Sequence, residues 1–498
     1  MPLNVTKTPE GNLLTYDADG LPVIYNLGDM AWVATATVIV GIMPIGLGLL
    51  YSGLLRRKNA LSMIFLALTV YSVGLLHWFM LGYSLTYGPG NAFIGDSTWF
   101  GLVGVDIQPS PGSTAIPALL YEIYQAQFQA ITVVILVAGT AERGRLAPLL
   151  VLAFAWSTLV YNPVAHWVWS SSGWLYNLGD LDYAGGGPVH IASGVGSFVI
   201  SAFVGKRRGY GTAQLDYRPH SAFFIALGTA FLWFGWCCFN GASNSALNLK
   251  SVMNINNTLY AGAAGCLGWT AVDFAYTRKW SAVGAASGIL AGLIGITPAV
   301  GYVAAPAAFG IGLITAVACN FATSLKRLMH VDDAVDAGAL HAAGGIVGAI
   351  LTGIFADSRV TDFDGMTVID GGWINGYWRV MGLQLAGVTS IVSYTAVVTY
   401  ILLLLINLIP GCKFRSSEEV EIVGVDEAEV TLPSRLGEFA YDYLELRRDI
   451  SDHELYSNSP TLTTADERGR PTDARTATST SHESKEGVEG KVSQVPGA

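Results

Sequence analysis

The chain returns again and again to runs of about twenty residues almost without charge, the length an α-helix needs to cross the hydrocarbon core of a bilayer. Such runs lie near 31–54, 60–86, 117–140, 146–169, 187–205, 220–243, 252–275, 281–299, 302–324, 338–356 and 380–409, about eleven spans by the length criterion. In hydrocarbon every backbone N–H and C=O must be satisfied within the protein, so a chain of this kind is expected to be an all-α polytopic membrane protein. Composition agrees. Of the 498 residues, 52% are hydrophobic and only 13% charged, against about a quarter charged in soluble domains. The 58 glycines suit the close helix approach that bilayers favour.

The net charge of −10 arises largely beyond residue 417, and the apolar region has no Lys/Arg cluster of the kind that tracks nucleic-acid phosphates. Cys237, Cys238, Cys266, Cys319 and Cys412 sit in or beside apolar runs without metal-ligand spacing, so they read as small buried hydrophobes, not a metal site or a disulfide set. No cofactor motif, phosphate loop or nucleophile motif appears, and no enzyme is expected.

The connections decide orientation. Arg56, Arg57 and Lys58 follow the first span, and Arg143 and Arg145 the third. Lys206, Arg207, Arg208 and Arg218 follow the fifth, Arg278 and Lys279 the seventh, Lys326 and Arg327 the ninth, Lys413 and Arg415 the eleventh. The alternate connections hold almost no basic residue beyond Lys250, Arg359 and Arg379. By the positive-inside rule the N-terminus is outside and the C-terminus cytoplasmic. Residues 1–30, with Glu10, Asp17, Asp19 and Asp29, lack the basic and apolar regions of a cleavable signal. They read as an extracellular segment, with a glycosylation sequon at Asn4-Val5-Thr6. Four regions follow: 1–30; a transmembrane transporter domain, 31–410; a cytoplasmic proximal C-terminal region, 411–450; and a tail, 451–498, whose Ser, Thr, Gly and Pro predict disorder.

Two distant segments match. Val189-His190-Ile191-Ala192-Ser193-Gly194 opens the fifth span and Leu340-His341-Ala342-Ala343-Gly344-Gly345 the tenth, each histidine preceded eight residues earlier by an aspartate, Asp182 or Asp333. Five spans separate the copies, so the second is inverted, a five-plus-five plan that places a site at the repeat interface near mid-membrane. Ionisable groups there are rare and default to function, although a lone histidine can equally serve helix packing. Two at equivalent positions should meet, stay mostly neutral and share one N–H···N bond. Asp182 finds its readiest partners in the amides of Gly185, Gly186 and Gly187, which makes a structural role plausible for it. His77 and His166, among Trp78, Trp167 and Trp169, read as interfacial residues; His220 and His330 fall at cytoplasmic boundaries, His453 and His482 in the tail.

Asp182-Tyr183-Ala184-Gly185-Gly186-Gly187-Pro188-Val189-His190 resembles the signature of the ammonium transporter (Amt/Mep/Rh) superfamily. Tyr51-Ser52-Gly53-Leu54, the run Gly139 to Arg145, Gly235-Trp236, Phe239-Asn240-Gly241-Ala242-Ser243, Gly295-Ile296-Thr297-Pro298-Ala299 and Val331-Asp332-Asp333 agree in order and spacing. The likeness covers roughly 30–445, and Gly437-Glu438-Phe439-Ala440-Tyr441-Asp442-Tyr443 looks like fungal Mep-type members.

The resemblance implies a homotrimeric, electrogenic ammonium transporter of the plasma membrane. Phe128, Trp156 and Ser243 would recruit the cation, Phe128 and Phe239 would gate the pore, and His190 and His341 would carry the proton path, with Asp182 as supporting carboxylate. An aromatic face attracts a cation, and a hydroxyl accepts an N–H bond that potassium cannot offer. A passive Rh-like ammonia channel and an ammonium sensor signalling through the tail are the alternatives, and a regulatory kinase acting on that tail is a candidate partner. Residues around Val430 to Arg435 look like an insertion between Gly424-Val425-Asp426 and the Gly-Glu pair.

Overall fold

The computed structural model describes residues 5–16, 20–212, 215 and 217–430. Asn4, the 431–435 part of the apparent insertion, the Gly437 to Tyr443 motif and the 451–498 tail lie outside the described residues. Among the described residues nine helices are long and apolar enough to cross a membrane: Leu27–Leu54, Arg57–Tyr87, Ala118–Thr140, Leu146–Leu178, Gly186–Val204, Ala222–Gly241, Ala305–Leu328, Gly338–Phe355 and Arg379–Asn407. The first is interrupted between Val40 and Met43, where Pro44 can supply no N–H to continue the ladder.

Two further helices, Leu249–Thr277 and Ala282–Ile296, occupy the seventh and eighth places in the order. The first is polar for a span because its buried face carries Lys250, Ser251, Asn254, Asn257 and Thr258. Their donors are satisfied inside the protein: Asn257 Nδ2 donates to the carbonyls of Val300 (3.0 Å) and Val303 (2.8 Å), and Asn240 Nδ2 donates to Thr258 Oγ1 (3.0 Å). Burying them unpaired would cost a few kcal/mol each, roughly 1–3. The eighth helix has 15 residues.

The membrane part is helical, and a small sheet precedes it. Thr6–Lys7, Leu13–Tyr16 and Pro22–Tyr25 form a three-stranded antiparallel sheet with Leu14 opposite Ile24 and Thr15 opposite Val23. Short β-branched and aromatic runs within these residues suit strands. The Tyr25 hydroxyl donates to the Ile107 carbonyl and ties the sheet to the connection after the second span.

The connections gather alternately at two ends. At one, Glu142, after the third span, is the hub. Arg56 donates to it from its backbone N (2.9 Å), Nε (3.0 Å) and Nη2 (2.9 Å), and Arg207 Nη1 from 2.7 Å. Arg207 also clamps Asp332, after the ninth span, with Nε and Nη2 at 2.8 Å. Glu142 adopts a left-handed φ of 67°, a strained state that persists only where the surroundings over-determine it. The segment after the eleventh span completes this end. Arg415 Nη1 donates to the Val204 carbonyl (2.9 Å), and the short helices Glu418–Val423 and Val425–Glu429 follow. Asp426 accepts the N–H groups of Leu61 (2.9 Å) and Ser62 (2.7 Å), and Glu429 that of Leu146 (2.9 Å). Each carboxylate therefore caps a helix start, where donors are free and the dipole favours negative charge.

At the opposite end Lys250 pairs with Asp364, Leu247 N–H donates to Asp29 Oδ1 (2.7 Å), and Trp174 N–H donates to the Ala92 carbonyl (3.1 Å). So the basic connections after the first, third, fifth, ninth and eleventh runs converge, as the alternation of charge along the chain predicts.

Burial pushes the Glu142 carboxyl up, but Arg56 and Arg207 outweigh it and hold it below the usual range; burial likewise opposes, and Arg207 overcomes, at Asp332. Carboxyls depressed on folding stabilise the native state fully above their unfolded values, near pH 4, and lose that contribution as pH falls through the folded values. Glu142→Gln is expected to destabilise the detergent-solubilised protein by about 3–5 kcal/mol at pH 7. It should also flatten the fall in melting temperature between pH 5 and pH 3. A variant melting like the parent at pH 7 would show that this cluster adds nothing.

Candidate functional site

His190 and His341 each lie on a wide, π-type helical turn, Gly186–Ile191 and Gly338–Ala342. Such turns widen the helix by one residue and recur at functional sites. Each is started by the aspartate eight residues before its histidine. Asp182 Oδ1 accepts the N–H groups of Gly185 (2.9 Å) and Gly186 (2.7 Å), and Oδ2 that of Gly187 (2.6 Å). Asp333 accepts those of Ala337 (3.2 Å) and Gly338 (2.7 Å). Equivalent residues thus do equivalent work in the two copies. Asp182 has the partners expected of it, and its direct role is to hold the turn that carries His190.

The copies then meet. A Cβ on Gly194, four residues after His190, would stand 2.1 Å from the Ala342 nitrogen; one on Gly345, four residues after His341, would stand 2.9 Å from the Gly186 carbonyl. Neither position tolerates a side chain. That approach brings His190 Nδ1 to 3.4 Å from His341 Nδ1, with ring centroids 5.4 Å apart and both residues buried.

The cavity beside the pair is otherwise apolar. His190 and His341 share its wall with Met43, Leu47, Ile131, Ile135, Val189, Leu232, Trp236, Phe239 and Leu290. The Trp236 indole N–H is spent on Thr297 Oγ1 (2.9 Å). From the pair a file of rings runs outward: His190 to Trp236 at 5.2 Å, Trp236 to Phe239 at 5.9 Å, Phe239 to Phe128 at 3.9 Å and Phe128 to Trp169 at 5.9 Å. Phe128 and Phe239 lie stacked, 24° from parallel, and close the file. One turn beyond Phe239, Ser243 Oγ donates to the Phe239 carbonyl (2.7 Å), which also takes the Tyr124 hydroxyl (2.6 Å).

Phe128, Phe239, Ser243, His190 and His341 are therefore brought together as the sequence suggests. Trp156 is not. Its indole N–H donates to Thr399 Oγ1 on the eleventh span (2.9 Å), and the ring set perpendicular to Phe128 belongs to Trp169. Motif order alone does not single out Trp169, because aromatics pack everywhere. The usable signal is that Trp169 closely precedes the Asp182 turn, whose carbonyl takes its N–H at 3.2 Å.

His77 and His166 are not interfacial either; both are fully buried. His77 bonds Thr158 (2.8 Å) and Gln129 (2.9 Å), and His166 meets the carbonyls of Thr86 and Asn91, each at 2.7 Å. They join the second, third and fourth spans.

Comparison with known proteins accords with this geometry. The model of the Ammonium Transporter Family matches residues 31–433. Ammonium transporter 1 of Schizosaccharomyces pombe is 42% identical over 92% of both chains. Ammonium transporter MEP2 of Saccharomyces cerevisiae is 43% identical over 89% of both. The crystal structure of Saccharomyces cerevisiae Mep2 superposes with a TM-score of 0.76, covering 79% of this chain and 88% of that one. That of Candida albicans Mep2 does so with 0.76 over 85% and 92%. With its residues 31–433 matched throughout and fungal relatives this similar, the chain belongs to the Ammonium Transporter Family.

Proposed function

We propose that the protein transports ammonium, recruiting the cation at the aromatic mouth, removing its proton there and passing neutral ammonia through the apolar cavity while the proton crosses the histidine pair. The observation that carries this reading is the direct contact of two buried imidazoles in a wall that is otherwise apolar. A bare ammonium ion in such a lumen would pay a desolvation penalty of several kcal/mol or more; ammonia pays far less.

The mouth has suitable chemistry. The faces of Phe128 and Trp169 attract a cation, and Ser243 Oγ has lone pairs for an N–H donor that potassium lacks. In the described wall of the cavity behind the stacked rings, only the histidines are ionisable. His190 Nε2 is buried with no hydrogen-bond partner among the described residues. A proton taken there lets the Nδ1 proton pass to His341 Nδ1, and His341 then releases its own Nε2 proton. The relay ends with both rings in the opposite tautomer, so a further exchange must reset it. Net transfer of one charge with each ammonia makes transport electrogenic. The proposal includes, on the family likeness and the charge of the connections, eleven crossings, an extracellular N-terminus, a cytoplasmic C-terminus, the plasma membrane, a homotrimer with one pore per subunit and a tail open to kinase control.

Ammonium-evoked current in reconstituted bilayers tests the reading. The parent should give a saturable current that potassium does not. His190→Ala and His341→Ala should lose either the current or its selectivity; current and selectivity unchanged in both would reject the proton path. Uptake without current in the parent would turn the reading to a passive channel, and a signal lost with transport intact after removal of 450–498 would turn it to a sensor.

The mouth is separately testable. Trp169→Leu is expected to raise the half-saturating ammonium concentration by about 2- to 30-fold, the equivalent of a 0.5–2 kcal/mol cation–π contact. Trp156→Phe should leave it within about twofold on the same scale. The reverse ranking would return the recruiting role to Trp156.

A further inference from the structure

Lys250 has no part in the pathway described, yet its side chain is wholly buried at the mouth end. It is the second residue of the helix Leu249–Thr277, where free N–H groups already present partial positive charge. Burial and the helix end both oppose a cation there, so it needs a dedicated counter-charge. Asp364 supplies it: Lys250 Nζ donates to Asp364 Oδ2 at 2.6 Å. The acid is itself built in. Its Oδ1 accepts the N–H groups of Met366 (2.9 Å) and Thr367 (2.7 Å), and its Oδ2 the Thr367 hydroxyl (2.6 Å). Burial pushes this carboxyl up, but the Lys250 bond and the Thr367 and Met366 donors prevail and hold it at about 2.

The pair lies at the same end of the bundle as the recruiting groups and is linked to them through neighbouring residues. Lys250 Nζ lies 5.7 Å from the centre of the Tyr183 ring, the residue after Asp182. Ser251, next in the chain, donates its hydroxyl to Asn244 Oδ1 at 3.1 Å, and Asn244 adjoins Ser243. Two opposite charges in contact present only a dipole to a cation at the mouth. Either one alone would act on it with its full field, through a region of low effective dielectric.

We propose that the Lys250–Asp364 pair sets the affinity of the mouth for ammonium, by keeping a fixed positive and a fixed negative charge in balance at the mouth end of the bundle. The inference rests on the ammonium reading above and goes beyond it in naming a control on affinity outside the ring file.

Its signature is a difference of sign. Asp364→Asn removes the negative partner and should raise the half-saturating ammonium concentration, while Lys250→Met removes the positive partner and should lower it, each by roughly three- to tenfold. Lys250→Arg, which keeps the charge, and the double variant Lys250→Met/Asp364→Asn should both stay within about twofold of the parent. The measurement is an ammonium titration of reconstituted vesicles at fixed ionic strength, read as current and as internal pH, on variants first shown to be monodisperse. Shifts in the same direction for the two single variants, or a double variant no nearer the parent than they are, would reduce the pair to a structural clamp and overturn the proposal. If Asp364→Asn does not fold, Lys250→Met decides alone: a half-saturation unchanged or raised overturns it. No saturable ammonium response from the parent in either readout would sink the transport reading itself, a distinct result.

Discussion

The contact between His190 and His341 depends on how closely two helices can approach in a medium that forgives no unpaired polar group. Lipid gives no hydrophobic drive to join helices, so packing and internal hydrogen bonds must do it. Around the pair both are supplied twice over, once per copy. An aspartate eight residues upstream fixes the start of each wide turn, and a glycine four residues downstream lets the other copy's backbone in. Put any side chain at Gly194 and the turn carrying His341 must retreat. The imidazoles would then part, and each would be a lone buried polar ring needing another partner.

From that contact the character of the path follows. Charge is kept to the two ends of the bundle, where every buried cation described has a carboxylate or carbonyl against it: Arg207 with Glu142 and Asp332, Arg143 with the Ala141 and Asp332 carbonyls, Lys250 with Asp364. Between the ends the ring file offers π faces, then the apolar wall, then two neutral-capable nitrogens. A cation moving inward meets steadily poorer solvation, because the π faces give way to an apolar wall.

Much of this was legible in the sequence, because membrane insertion makes strong demands. Apolar runs and alternating basic connections gave the spans and their convergence at one end. The His-x-x-x-Gly match gave the meeting of the copies, and the glycines after Asp182 gave its partners. Signals without such a constraint did not carry. Trp156 and Trp169 are indistinguishable as residues, since only packing decides which ring meets Phe128. His77 and His166 sit among tryptophans that suggest an interface, but their depth depends on neighbours from other spans. The polar face of Leu249–Thr277 looks costly until its partners at Asn240, Val300 and Val303 are known. The strands of residues 6–25 are too short for pattern to rise above composition.

Inverted repeats often go with rocking of one half against the other, and here the frame opposes it. Connections after the first, third, fifth and ninth spans are locked through Glu142, Arg207 and Asp332, and the segment after the eleventh is pinned by Arg415. At the mouth end the links are as direct, through Asp29, Ala92 and Asp364. Rocking would break buried ion pairs at a cost of about 3–5 kcal/mol each. Turning Phe128 and Phe239 out of their stack forfeits only about 0.5–1.5 kcal/mol of ring contact beyond the area exposed. Rotamer changes are also far faster than domain motions. A frame fixed at both ends and closed by two rings is thus suited to opening at the scale of side chains, in keeping with a solute as small as ammonium.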